Sequence, residues 1–320
     1  RLSGHPQFGD KSWFSDNPRL RTLAAGAVFP IGQDGLTFNL EAAESRTQPD
    51  FPGSEAASKF QRVSLRLFYP WIRSTKKNLS FQAALDIQND RQDLLTPAGA
   101  LPIYEDETRV LRLSADGVWI RDDGGVLEAG AVASLGLDAL GARTAEDAAA
   151  GTPLSRSGAD ADFRKLEVSF RYRRPLGDVW GISVAGRGQT SFGDSMLSGE
   201  QFGIASSQDL SPFDQGAISG DSGWVLRAEV SRRFEHSAFG IPLILSPYVF
   251  GATGEVYIEE PTALESPRIG ASAYGLGVEV VAIRDPRFSS ASLRLEYGKG
   301  TRDDGGEDAS RLSLLGSFRF

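Results

Sequence analysis

Apolar and polar residues alternate with period two along most of this chain. In the closing segment Leu312, Leu314, Gly316, Phe318 and Phe320 fall on one face, and Ser313, Leu315, Ser317 and Arg319 on the other. Leu79, Phe81, Ala83, Leu85 and Ile87 alternate with Ser80, Gln82, Ala84, Asp86 and Gln88, and Leu111, Leu113 and Trp119 lie opposite Arg112, Ser114 and Asp116. Leu166, Val168, Phe170 and Tyr172 alternate with Lys165, Glu167, Ser169, Arg171 and Arg173; Ala291, Leu293, Leu295 and Tyr297 alternate with Ser292, Arg294 and Glu296. Each run predicts a strand with one oily and one charged face. The runs span about 9 to 13 residues, which suits tilted strands crossing a bilayer, whereas soluble sandwich strands average about 5 to 6.

The expected fold is therefore all-β, a transmembrane antiparallel β-barrel. About thirteen strands can be counted, the first near Leu20 to Phe29 and the last near Arg311 to Phe320. By the alternation both end strands run the same way, so closing the barrel needs an odd number of further strands. These either precede Arg1 or lie unnoticed in residues 1 to 18, which read as an entering loop. Residues 1 to 320 read as one barrel domain with a loop inserted at about 192 to 223. A strand ending in an aromatic residue is how bacterial outer-membrane barrels commonly close. On that reading Phe318 and Phe320 are the signal for the barrel assembly machinery.

Connections alternate short and long. Pro30 to Gly35, Ser74 to Lys77, Asp122 to Gly125, Pro175 to Asp178 and Asp285 to Arg287 are turn-like. Between them lie polar stretches at about 47 to 59, 89 to 107, 139 to 161, 192 to 223, 259 to 270 and 300 to 308. Outer-membrane barrels keep short turns in the periplasm and long loops outside, which places the C-terminus at the periplasmic side. The connection at about 235 to 246 is longer than this rule expects.

Composition narrows the class. With 40% hydrophobic residues but no run near 18 consecutive apolar ones, the chain is not a helical membrane protein. A net charge of -8 argues against a nucleic-acid partner. The absence of cysteine suits passage through an oxidising periplasm, weakly. Because the sequence opens on Arg1 without a signal-peptide apolar core, an upstream segment is expected.

Residues Gln189 to Glu229 carry the most particular wording: Leu197-Ser198-Gly199-Glu200-Gln201-Phe202, then Gly220-Asp221-Ser222-Gly223-Trp224-Val225-Leu226-Arg227-Ala228-Glu229. This resembles the two-partner secretion transporters, the hemolysin-activation and filamentous-hemagglutinin exporters. There a glutamine ends one strand, a "Leu-Pro-Gly-Ser-Glu-Gln-Phe" phrase opens a loop, and "Gly-Asp-x-Gly-Trp/Tyr-x-x-Arg-x-Glu" begins the next strand. Phe68-Tyr69-Pro70, Leu135-Gly136-Leu137 and Pro247-Tyr248-Val249-Phe250 add weaker support. The resemblance implies sixteen strands in the complete barrel, preceding POTRA domains, and export of one large adhesin or toxin-like partner in an unfolded state.

It also implies a loop folded into the pore, whose tip reads Val-Arg-Gly-Tyr/Phe and whose arginine pairs with an aspartate of a wall motif Phe-x-Asp-x-Gly. Here the tip aligns with Leu210-Ser211-Pro212-Phe213 and the wall motif with Phe250-Gly251-Ala252-Thr253-Gly254. Ser211 stands for the arginine, Pro212 for the glycine and Ala252 for the aspartate, so both charges are gone together. Losing one alone would strand a partly buried charge at about 3 to 5 kcal/mol. Arg187, Arg227 and Glu229, beside the loop, are the expected substitutes. The competing reading is a plugged barrel that anchors a surface protein or filament. Expected partners are a secreted polypeptide or surface-anchored protein, outer-membrane lipid and lipopolysaccharide.

Catalytic readings fare poorly. Gly220-Asp221-Ser222-Gly223 looks like the nucleophile segment of chymotrypsin-like proteases, but Trp224 follows where a glycine should, and His5 and His236 are the only histidines. Two histidines and no cysteine make a transition-metal site improbable, so no cofactor is expected. Function points to the charged faces: Arg66, Arg112, Asp116, Lys165, Glu167, Arg171, Arg173, Arg187, Gln189, Arg227, Glu229, Arg294 and Glu296 must face a wet or plugged interior.

Overall fold

The computed structural model describes residues 2–4, 19–48, 56–238, 241–285 and 289–319. Alternation along the chain becomes one antiparallel meander of β1 (Leu2–Gly4), β2 (Leu20–Ile31), β3 (Leu36–Thr47), β4 (Ala56–Arg73), β5 (Lys77–Thr96), β6 (Gly99–Ile120), β7 (Val126–Gly136), β8 (Arg164–Leu176) and β9 (Trp180–Thr190). The segment after β9 carries a small hairpin of β10 (Phe202–Gly203) and β11 (Ser219–Gly220) outside the main sheet. The wall resumes with β12 (Ser222–Arg232), β13 (Phe234–Ala238), β14 (Ile241–Tyr257), β15 (Arg268–Asp285), β16 (Ser289–Arg302) and β17 (Ala309–Arg319). β12 pairs with β9 on one side and β14 on the other, and β13 continues its line along β14. Among the described residues no pairing joins β1 to β17.

Counted with β12 and β13 as one wall strand, thirteen run from Leu20 onward, as the alternation predicts. The opening residues hold one more: Leu2–Gly4 pairs with β2, Leu2 opposite Leu23 and Gly4 opposite Arg21. Three residues are too few for a periodic signal, so the backbone of β2 decides what this segment does. The rest of the expected entering loop lies outside the described residues.

Two other expectations are corrected. Residues 89 to 107 are not a loop: β5 and β6 continue to a tight turn after Thr96, with β4 alongside as far as Ala56. At 20 and 22 residues these strands outrun the membrane, and their polar tips report water on both faces, not loss of backbone pairing. Residues 235 to 246 are likewise a hairpin, β13 folding back on β14 from Phe234 opposite Leu245 to Ala238 opposite Ile241. Strand lengths thus exceed the span expected from the oily runs alone, because pairing persists where apolar alternation stops.

The two faces sort by chemistry. Phe170 and Leu295 are 42% and 39% exposed on the outside, while Arg227 and Glu296 are 4% and 5% exposed on the inside. An apolar surface left open to this degree belongs against hydrocarbon, where every strand must find its hydrogen bonds within the sheet. Aromatic girdles bound it. At the short-turn end Phe29 stacks on Phe38, Trp71 meets Tyr69 and Phe81 edge-on, and Arg232 lies over Trp180 and Phe234. At the long-loop end Trp224, Tyr257, Tyr274 and Tyr297 face outward. Trp224 and Phe234 are ten residues apart on one strand line, about 25 Å along the axis of a barrel whose strands tilt about 40°.

The long connections at 137–163 and 191–221 fold together at the long-loop end. The first carries α1 (Ala145–Ala149), begun by a reciprocal Thr144–Asp147 capping box. Phe163 and Met196, one from each, bury together against Val110 of β6.

Leu67 sits midway along the outer face of β4. Its replacement by Arg is expected to lower stability in lipid vesicles by about 2 to 4 kcal/mol, read by urea unfolding, whereas Gln82→Arg on the inner face should cost under about 1 kcal/mol.

Candidate functional site: a loop seated on the inner wall

Residues 191–221 leave β9, turn inward and press their tip against β12, β14, β15 and β16. Phe202, Ile204, Leu210, Phe213 and Ile218 bury with Val225, Tyr248, Phe250, Ala252, Ala271 and Ala273 of the wall. Register explains the seat. Phe250, Gly275 and Gly298 lie in one row across β14, β15 and β16, and Ala252, Ala273 and Gly300 in the next. The Phe250 ring lies flat because Gly275 carries no side chain; a Cβ there would stand 2.6 Å from Phe250 Cε1. Pro212 drops onto Gly298 and Phe213 onto Gly300, where added Cβ atoms would lie 2.9 and 2.5 Å away. Small residues in two rows make a socket for the tip.

Charges fix what the socket receives. Ser211 Oγ donates to Glu296 Oε1 and accepts from Arg227 Nη1 at 3.1 Å. Arg227 also donates to Glu296 Oε2 at 2.6 Å, to Glu229 Oε1 at 2.8 Å and to the Asp209 carbonyl at 3.1 Å, and lies 3.8 Å over the Phe250 ring. Tyr248 donates to Glu296 Oε2 at 2.6 Å by reaching across Gly277, where any Cβ would collide with the hydroxyl. Arg294 bridges Glu229 and Glu296 at 2.6 and 3.1 Å and sits 4.3 Å over Tyr248. On the neighbouring strand Arg187 donates to Asp209 Oδ2 at 2.6 Å and to the Gly203 carbonyl at 2.8 Å, with Phe202 beneath it.

Arg227 stands directly opposite Ala252 in the β12–β14 pairing. The small alanine leaves room for the guanidinium beside it. The arrangement thus has its arginine on the wall, its acid three strands further on at Glu296, and a neutral serine on the loop between them. Glu229, expected to hold the loop, instead accepts from Arg227 and Arg294 and steadies the wall cations.

The loop's root is tied as firmly. Glu200 accepts from Lys165 at 2.8 Å and from Arg112 at 2.5 and 3.2 Å. Arg112 in turn meets Asp86 at 3.0 Å, and Asp86 takes a hydrogen bond from Ser64, so one chain of charges crosses from β4 to β8. Burial alone would raise the Glu200 carboxyl, but Lys165 and Arg112 hold it below the ordinary glutamate range. Gln189 donates to the carbonyls of Glu200 and Asp221 at 3.2 and 2.8 Å. Asp221, fully buried, accepts from Met196 N at 2.9 Å, Glu259 N at 2.7 Å and the Arg156 guanidinium, which joins three long connections. Gly220 and Gly223 pass so close to β14 that Cβ atoms would stand 2.7 and 2.5 Å from the carbonyls of Tyr257 and Glu255.

The structure therefore brings together Arg187, Gln189, Glu200, Phe202, Ser211, Pro212, Phe213, Gly220, Asp221, Gly223, Arg227 and Ala252. Phe318 lies apart, 70% exposed on the outer face of β17, and Phe320 lies outside the described residues. Sequence reasoning missed the roles of Tyr248, Arg156, Asp209 and Lys165. Arg156 and Asp209 sit in polar loop text that carries no periodic signal, whereas inward parity marks Lys165 and Tyr248. Among the described residues no cluster of three or more His, Asp or Glu is placed to hold a metal ion.

Residues 14–280 match the family model described as haemolysin secretion/activation protein ShlB/FhaC/HecB. CdiB from Escherichia coli superposes with a TM-score of 0.66 at 19% identity, covering 95% of this chain and 54% of that one. CdiB from Acinetobacter baumannii gives 0.63 at 15%, covering 94% and 50%, and BamA from Haemophilus ducreyi lacking POTRA domains 1–3 gives 0.60 at 13%, covering 94% and 62%. No curated protein sequence matches. The chain thus shares the barrel fold of these structures and spans about half the length of the CdiB chains. Since the family model takes in most of its residues, this chain belongs to the haemolysin secretion/activation protein ShlB/FhaC/HecB family.

Proposed function

We propose that this chain forms the pore part of an outer-membrane polypeptide exporter of the two-partner secretion type, its long loops outside and its C-terminus at the periplasmic side. The cargo is one large adhesin or toxin-like polypeptide, threaded unfolded. The observation that carries this reading is the seat of residues 191–221: the tip is buried on the inner wall, neutral Ser211 sits on an Arg227–Glu296 pair, and the tip's ionic ties are Asp209 on Arg187 and Asp214 on Arg311.

A neutral residue at Ser211 lowers the cost of release for a plug that must leave and return. A departing loop arginine would carry a desolvated charge out of its pair and leave its acid unpaired. Ser211 leaves behind a wall pair that stays satisfied by Arg294 and Tyr248. An extended chain entering from the periplasm would exchange hydrogen bonds with the same groups as the tip lifts. The second reading, a permanently plugged anchor, is favoured by the depth of the tip, with Leu210 fully buried.

Deleting residues 192–221 is expected to raise planar-bilayer conductance severalfold; an unchanged current would count against the plug. Secretion of a co-expressed partner by the intact protein supports export, and surface retention without release supports the anchor.

Arg227→Leu alone leaves Glu296 short of its closest cation and should cost about 3 to 5 kcal/mol, with increased channel noise. Arg227→Leu combined with Glu296→Leu should recover part of that loss, and the coupling is read as a double-mutant cycle.

The Glu200 anchor has a defined pH sign. Because its folded-state pKa is lowered, its contribution is present above the ordinary value of 4.5 and is lost as pH falls through the lowered one. Loop noise should stay flat from neutral pH to about 4.5 and rise below it. Lys165→Met should move the onset upward.

A further inference from the structure

The outer rim at the long-loop end is not uniform. On β12, β14, β15 and β16 it is finished by Trp224, Tyr257, Tyr274 and Tyr297. On β2 to β5 it is finished by cations. Arg21 stands opposite Arg46, Arg46 opposite Lys59, and Lys59 opposite Arg91, one cation per strand in a single row. All four share the parity of the oily outer residues: Lys59 is on the face of Val63 and Leu67, and Arg21 on that of Phe29.

Like charges directly opposite on neighbouring strands repel. Acids of the chain answer the ends of the row. Glu44 meets Arg46 at 2.8 Å and Arg21 at 3.8 Å, while Asp93 and Glu105 meet Arg91 at 2.9 and 3.9 Å. Lys59, between them, is exposed and makes no hydrogen bond or ion pair among the described residues, only the longer-range field of Glu44 reaching it.

Below the row, toward the membrane, lies a hollow of about 670 Å³ lined by Leu23, Ala25, Ala42, Val63 and Ile87, with Glu44, Gln61 and Asn89 along its lining. Ala25 and Ala42 face each other across the β2–β3 pairing and make the floor low. A cation row on the water side and an apolar trough on the lipid side, in register on the same four strands, match an amphiphile with an anionic head and a chain lying along the wall. Arginine forks and a mobile ammonium are the side chains that suit phosphate.

We propose that β2 to β5 form a binding site for the phosphorylated, multiply acylated glycolipid of the outer leaflet, its phosphate between Lys59 and Arg46 and one acyl chain in the Ala25–Ala42 hollow. The site rests on the orientation given above, with long loops outside; that orientation selects the outer-leaflet lipid over a periplasmic-leaflet phospholipid.

The test is native mass spectrometry of the full chain in detergent, with lipid A, enzymatically dephosphorylated lipid A and phosphatidylethanolamine as probes. Wild type should retain lipid A and neither of the others. Lys59→Glu, an exposed change that breaks no bond in the chain, and Ala42→Phe, which fills the hollow, should each weaken retention by about tenfold or more. Equal retention by both variants overturns the site, as does retention of phosphatidylethanolamine at the level of lipid A. Orientation is read separately by an epitope placed in residues 303–308. Antibody access on intact cells supports it, and access only after the outer membrane is opened overturns the outer-leaflet ligand whatever the retention result.

Discussion

Hydrocarbon offers a backbone no hydrogen-bond partner, and the rest of this molecule depends on that. Each strand crossing the membrane must find all its bonds in its neighbours, so the chain runs as one antiparallel meander with every wall strand paired in sequence order. Period-two alternation then leaves no choice of faces. Phe170 and Leu295 go to lipid, and Arg171 and Arg294 are carried inward, where the charges must find each other.

The interior solves that demand in two ways. Beside β4 to β8 the solution is ionic, a chain from Ser64 through Asp86, Arg112, Glu200 and Lys165 in which one loop acid closes a row of wall charges. Beside β12 to β16 it is mixed: an apolar socket floored by Gly298 and Gly300 takes Pro212 and Phe213, and a cation–acid cluster around Arg227 and Glu296 takes Ser211. The loop is therefore strapped at its root by charge and seated at its tip by shape, by Ser211 and by the Asp209–Arg187 pair. A segment built this way has a hinge region that resists movement and a tip whose departure breaks the Asp209–Arg187 pair but leaves Arg227 and Glu296 paired with each other.

The wall position of Arg227 gives the small Ala252 a consequence. An aspartate there would stand directly opposite Arg227 in the sheet and compete with Glu296 for it. With alanine, Arg227 lies over Phe250 and reaches both the loop and β16.

The oily and charged alternation determined by itself which residues face lipid and how many wall strands follow Leu20, because period two is a property of the backbone and survives any tertiary arrangement. Local pattern could also mark Arg187 and Arg227 as loop neighbours, since both lie on inward parity next to the motif. Only the tertiary structure decided that residues 89–107 are paired strand beyond the bilayer, for there water faces both sides and alternation carries no signal. It alone decided that Ser211 meets Glu296, 85 residues away, and that the glycines of β16 form a socket. Those contacts depend on strand register and on how a loop folds back across the lumen, and the energy that selects them comes from burial and charge pairing between residues distant in sequence.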